Sequence, residues 1–131
     1  MTSLDTNVVV RLITGDNARQ ARAAEHLVAS QPCKITTTVL LEVEWVLRAA
    51  YGLPAKTIAA ALRGLLELEN IAAADPALAG RAMNAYESGL DFADALHALQ
   101  GAEGDDFITF DRALVRGAAK AGLRGVALLK P

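Results

Sequence analysis

Apolar residues recur along this chain in two rhythms: short runs of a few residues, and longer stretches at the three-to-four spacing of a helix buried on one face. Thr2 to Asp5 reads as a brief strand. Val8, Val9, Leu12 and Ile13 then follow helical spacing, with Thr6 or Asn7 as the cap, until Gly15-Asp16-Asn17 breaks the run. Ala18 to Ala29 is a second helix and Lys34 to Thr37 a second strand. Thr38 is the expected cap of a helix whose apolar positions are Val39, Val43, Val46, Leu47 and Ala50, ending at Tyr51-Gly52. Pro54 introduces a helix over Ala55 to Leu68, Asn70 to Ala74 a strand, and Asp75-Pro76 a helix reaching Glu87, with Gly89 separating it from the next. The pattern closes with a helix over Asp91 to Ala102, a strand over Phe107 to Phe110, a helix from Asp111 to Ala121 and a strand over Val126 to Leu129. Strands alternating with helices predict βαβ units, hence an α/β domain with a central parallel sheet of about five short strands and helices on both faces.

Composition narrows this picture. A length of 131 residues fits one domain with its own core, and residues 1–131 contain no linker, repeat or low-complexity tract. Hydrophobic residues make up 53% and aromatics only 5%, yet no apolar run approaches the roughly 18 residues of a membrane span. The start, Met1-Thr2-Ser3-Leu4-Asp5, lacks the basic region and apolar block of a signal peptide, so a cytoplasmic location is expected. One cysteine, Cys33, excludes an intrachain disulfide; with only His26 and His97 beside it, a thiolate or imidazole zinc site of ordinary composition is excluded too. The net charge of −2 argues against a broadly basic surface. However, no acid follows Asp111, and that stretch carries Arg112, Arg116, Lys120, Arg124 and Lys130.

Four acids stand where a predicted strand ends or a predicted helix begins: Asp5, Glu42, Asp94 and Asp111. In an open α/β sheet such positions converge on one edge. Converging carboxylates repel one another unless a cation neutralises them, which points to a divalent metal held by oxygen. Taken singly, each has a structural explanation. Asp94 lies three residues after Asp91, the expected cap; Asp111 caps the helix from Arg112; Glu42 falls in a first turn, where negative charge is favourable. Asp5 is harder to dismiss, because a carboxylate at the end of a central strand is costly to bury without a partner. Trp45 and Cys33 are assigned to packing, and His97, on the helix of Asp94, to a hydrogen-bonded structural role.

The segments Leu4-Asp5-Thr6-Asn7-Val8-Val9-Val10-Arg11-Leu12, Leu41-Glu42-Val43-Glu44-Trp45-Val46-Leu47-Arg48, Asp91-Phe92-Ala93-Asp94-Ala95-Leu96-His97 and Thr109-Phe110-Asp111 resemble the PIN-domain ribonucleases, and most closely the VapC-type toxins. The resemblance implies a PIN-like α/β/α sandwich and a metal-dependent endoribonuclease that hydrolyses RNA phosphodiester bonds as the toxin of a toxin–antitoxin pair. It places the family's acidic positions on Asp5, Glu42, Asp94 and Asp111. Glu42 is preferred over Glu44 because it stands three before Trp45, while Glu44 can pair with Arg48 at helical spacing.

Mg²⁺ or Mn²⁺ is the expected cofactor, with Asp5 and Asp94 as direct ligands and Glu42 and Asp111 acting through waters or a second ion. Thr6, Asn7 and Thr109 are expected to orient a carboxylate or a water ligand, though helix capping accounts equally for the first two. Asp91 is a cap, a hydrogen-bonding support or a water-mediated contact. Arg112, Arg116 and Lys120 recur every four residues on one helix face, opposite Leu114, Val115, Ala118 and Ala121, and are expected to meet RNA phosphate. The resemblance also implies a homodimer and a VapB-like antitoxin whose tail fills a groove near the active site. An aspartate-nucleophile phosphatase would need a second Asp where this chain has Asn7, and a phospho-receiver domain would need an acidic pair and a strand lysine that are not evident. A non-catalytic PIN-like RNA- or protein-binding module is the remaining alternative.

Overall fold

Seven helices and five strands alternate along the chain in the computed structural model, which describes all 131 residues. The residues cluster into two compact units, Met1–Pro76 and Ala77–Pro131.

The first unit is built from β1 (Thr2–Ser3), α1 (Thr6–Thr14), α2 (Ala18–Ser30), β2 (Cys33–Ile35), α3 (Thr37–Ala49), α4 (Ala55–Leu66) and β3 (Ile71–Ala73). Its strands form a parallel ladder in the order β1-β2-β3, with Thr2 opposite Cys33 and Cys33 opposite Ile71. The central strand is therefore β2, whose Cys33 and Ile35 are fully buried. Asp5 follows β1, at one end of this ladder. Each strand is shorter than predicted, and the bonds Thr2 N–H to Pro32 O and Ala74 N–H to Ile35 O lie at the margins of the ladder.

Helix α1 buries Val9 and Val10 and packs on α2 and α3. It ends at Gly15, whose φ of 69° is left-handed, a conformation open to glycine without a Cβ clash, and whose N–H returns to the Arg11 carbonyl. Side chains brace this turn. Arg11 Nε donates to Gln20 Oε1 at 2.9 Å and Arg11 Nη1 to the Tyr51 hydroxyl at 3.2 Å, while that hydroxyl donates to Asp16 Oδ2 at 2.9 Å. One guanidinium thus links α1, the start of α2 and the residues after α3.

On α3 the buried set is Leu40, Val43, Glu44 and Leu47. Glu44, only 1% exposed, accepts from Arg48 Nε at 2.9 Å, the pairing its spacing implied. Trp45, assigned to packing, is instead 56% exposed. The periodicity carries the reason: positions 40, 43, 44 and 47 define the inner face, and 42, 45 and 49 lie away from it.

The second unit contains α5 (Pro76–Glu87), α6 (Phe92–Gly101), β4 (Phe107–Thr109), α7 (Arg112–Lys120) and β5 (Val126–Leu128). Here β4 and β5 make a parallel two-stranded ladder, Phe107 opposite Val126 and Thr109 opposite Leu128, so the five strands fall into ladders of three and two. Both strands of this ladder contact α7. The fully buried Phe92 meets Tyr86 edge to face, with ring centroids 5.3 Å apart, and Leu114 and Ala118 bury the inner side of α7. Ile108, Phe110, Ala127 and Leu129 alternate onto the opposite, exposed side. No helix of the chain is long and apolar enough to cross a membrane.

Candidate functional site

Asp5 is the N-cap of α1, where Thr6 or Asn7 was expected. Its carbonyl receives the N–H groups of Val8 and Val9 at 3.1 and 3.2 Å, but its side chain makes no capping bond. The carboxylate stands at a helix start without serving the helix, exposed to solvent. Beside it, Thr6 is buried and Asn7 exposed.

Glu42 departs from expectation in the same direction. Helix α3 is capped at Thr36, not Thr38, so Glu42 sits in the second turn, and the first turn holds no acid. The dipole explanation for Glu42 therefore lapses, since that field fades beyond the first turn. Its side chain is exposed, on a helix that packs against α1.

In the second unit the acids are arranged differently. Asp91 caps α6, its Oδ2 accepting from the Asp94 N–H at 3.1 Å. Asp111 caps α7 through Oδ1, which accepts from Ala113 N at 2.9 Å and Leu114 N at 3.2 Å, leaving Oδ2 outside these bonds. Thr109 supports this turn from behind, its hydroxyl accepting the Asp111 N–H at 3.0 Å. It holds the backbone of Asp111 and not its carboxylate. Asp94, at the third position of α6, is partly buried. Burial raises its pKa above the ordinary carboxylate value; the negative charges of Asp91 and Asp111 add to the rise, and His97 opposes it. The His97 side chain is exposed and makes no hydrogen bond, unlike the hydrogen-bonded residue expected.

No three His, Cys, Asp or Glu side chains gather into a group able to hold a metal ion. A Mg²⁺ ion needs less, because it keeps several waters and takes one or two carboxylates directly. Asp94, desolvated and within the field of Asp111, offers oxygen donors whose repulsion a cation would relieve. The donor chemistry fits a hard divalent ion. Arg112, Arg116 and Lys120 are exposed along α7, as their four-residue spacing predicts.

Residues 3–120 match the PIN domain family, a span that includes all four acids. The chain belongs to the PIN domain family, a superfamily of nucleases that generally depend on divalent metal ions and that includes many toxins of toxin–antitoxin systems. No significant match is found among curated proteins or solved structures. Two aromatics are exposed, Trp45, which its type assigned to packing, and Phe110, which the sequence pattern did not single out; for Trp45 the outward helical face was the available signal, and for Phe110 its place just beyond a three-residue strand.

Proposed function

We propose that this PIN protein is an Mg²⁺- or Mn²⁺-dependent endoribonuclease acting as the toxin of a toxin–antitoxin pair in the cytoplasm, with residues 1–131 working as one domain. The observation that carries this reading is Asp94: a partly buried carboxylate at a helix start, with two more acids in its field that raise its pKa. The family match running through both units supports the single-domain reading.

Asp5 and Asp94 hold the ion directly, and Glu42 and Asp111 act through waters or a second ion. When bound, the ion would lower the pKa of a coordinated water and offset charge developing at phosphorus. Asp111 is held in place by its cap bonds, with Oδ2 left to accept a proton or a water. Asp91 keeps the first turn of α6 rigid under Asp94. Thr109 fixes the Asp111 turn, while Thr6 and Asn7 flank Asp5. Arg112, Arg116 and Lys120 engage RNA phosphates and offset the acids locally. Because water is the nucleophile, cleavage leaves 5′-phosphate and 3′-hydroxyl ends.

A homodimer and a VapB-like antitoxin complete the proposal. An apolar groove of about 650 Å³ in the first unit, lined by Leu12, Ile13, Val28, Leu65 and Leu68 with Glu25 and Glu69 among its polar residues, supports an antitoxin segment with an apolar face and basic flanks.

The test is incubation of antitoxin-free protein with total RNA in Mg²⁺, Mn²⁺ or EDTA, alongside Asp94→Asn, with sequencing of fragment 5′ ends. Discrete phosphorylated ends, lost in EDTA and reduced at least about a hundredfold in the variant, are expected. Folded, metal-loaded protein that cuts no more than the variant would transfer the chain to the non-catalytic binding modules.

A further inference from the structure

The chain has six aromatic residues: one Trp, two Tyr and three Phe. Tyr86 and Phe92 are buried against each other, and Tyr51 and Phe107 are partly buried. Only Trp45 and Phe110 are exposed, at 56% and 67%, and each stands beside a proposed catalytic acid. Trp45 lies one helical turn after Glu42 on the outward flank of α3. Phe110 immediately precedes Asp111.

Nothing in the packing of either unit explains these placements. A ring more than half exposed gains only part of its burial from the fold, and the rings that build the core are elsewhere in the sequence. What an exposed ring offers is a flat apolar face for another ring. Nucleobases are the rings a ribonuclease meets, and they become available for stacking only where the strand is unpaired. Charge favours the same ligand over a protein surface. From Phe110 onward the sole acid is Asp111, and the helix it caps presents Arg112, Arg116 and Lys120 to solvent. An aromatic face next to a phosphate-binding strip is the arrangement that single-strand binders use, cations along the backbone and rings under the bases.

We infer that Trp45 and Phe110 are base-stacking residues, each taking an unpaired base beside the acid it flanks. The inference rests on the ribonuclease reading and narrows it. It also separates the two exposed aromatics from Ile108 and Leu129, which share the exposed side of the β4–β5 ladder with Phe110 but cannot stack.

Trp45 is the only tryptophan, so its emission reports on that site without a label. In EDTA, where binding is seen without cleavage, the full-length protein is titrated with a short single-stranded oligoribonucleotide and with the same strand annealed to its complement. Binding of both is followed independently by the anisotropy of a dye on the RNA. Saturable quenching by the single strand, with little quenching by the duplex, is expected. Phe110→Ala should weaken single-strand binding about tenfold, Phe110→Leu should not restore it, and Phe110→Tyr should. Single-strand binding that leaves Trp45 emission unchanged, equal quenching by duplex, or full binding by Phe110→Leu would each overturn the inference. So would Trp45 emission that shifts with protein concentration alone, which would place the ring against a second copy of the chain. Cleavage in Mg²⁺ is scored separately: cutting without quenching removes only the stacking role, and quenching without cutting removes only the nuclease reading.

Discussion

Asp5 and Asp111 occupy the same kind of position, the residue just before a helix, and their carboxylates behave in opposite ways. Asp111 closes the start of α7 with two hydrogen bonds from one oxygen, and Thr109 anchors its backbone. Asp5 leaves the start of α1 without a side-chain cap. An acid at a helix N-terminus is therefore not self-explanatory: one accounts for itself structurally, while the other has no role in the helix. The same contrast divides Asp91, which caps α6, from Asp94, which the cap leaves in an unfavourable field.

Substitution sharpens this difference. The largest effect should be on cleavage, where Asp111→Asn and Asp111→Ala should both fall at least about a hundredfold, because neither can accept a proton or attract a cation. Stability should separate them. Asn caps as well as Asp, so Asp111→Asn should unfold like the wild type, whereas Asp111→Ala should lose about 1 kcal/mol. Asp5→Ala should lose little, having no cap bond to break. Urea unfolding of the three variants checks this, and an equal loss in Asp5→Ala and Asp111→Ala would erase the distinction.

The smallest effect is the pH dependence of the metal-free protein. The folded pKa of Asp94 is raised, so the folded state holds this proton more tightly than the unfolded chain. Asp94 therefore favours folding most at acid pH, and that contribution declines as pH rises from the unfolded value through the raised folded one. Metal binding runs the other way, weakening as pH falls through the same range. In EDTA, Asp94→Asn should flatten that part of the wild-type stability curve; an unchanged curve would mean the field at Asp94 does not reach folding.

Much of this was legible in the residues because periodicity and punctuation are local. The strand–helix alternation, the Asp91 and Asp111 caps and the Glu44–Arg48 pair all follow from spacing of a few positions. Strand ends were not legible, because a strand stops where its neighbour stops pairing. The cap of α1 was misplaced for a related reason: Thr6 and Asn7 are good caps by type, but the chain turns into the helix one residue earlier, at Asp5. Trp45 was misread by weighing residue type over position, although the inner face of α3 already excluded it.

If Asp5 and Asp94 serve the same ion, as proposed, both must contribute to its affinity. Calorimetric titration of RNA-free wild type, Asp5→Asn and Asp94→Asn with Mn²⁺ tests it without reference to activity. Both substitutions should weaken Mn²⁺ binding at least about tenfold while leaving the fold intact. Wild-type affinity in Asp5→Asn would show that the first unit's acid takes no part in holding the metal.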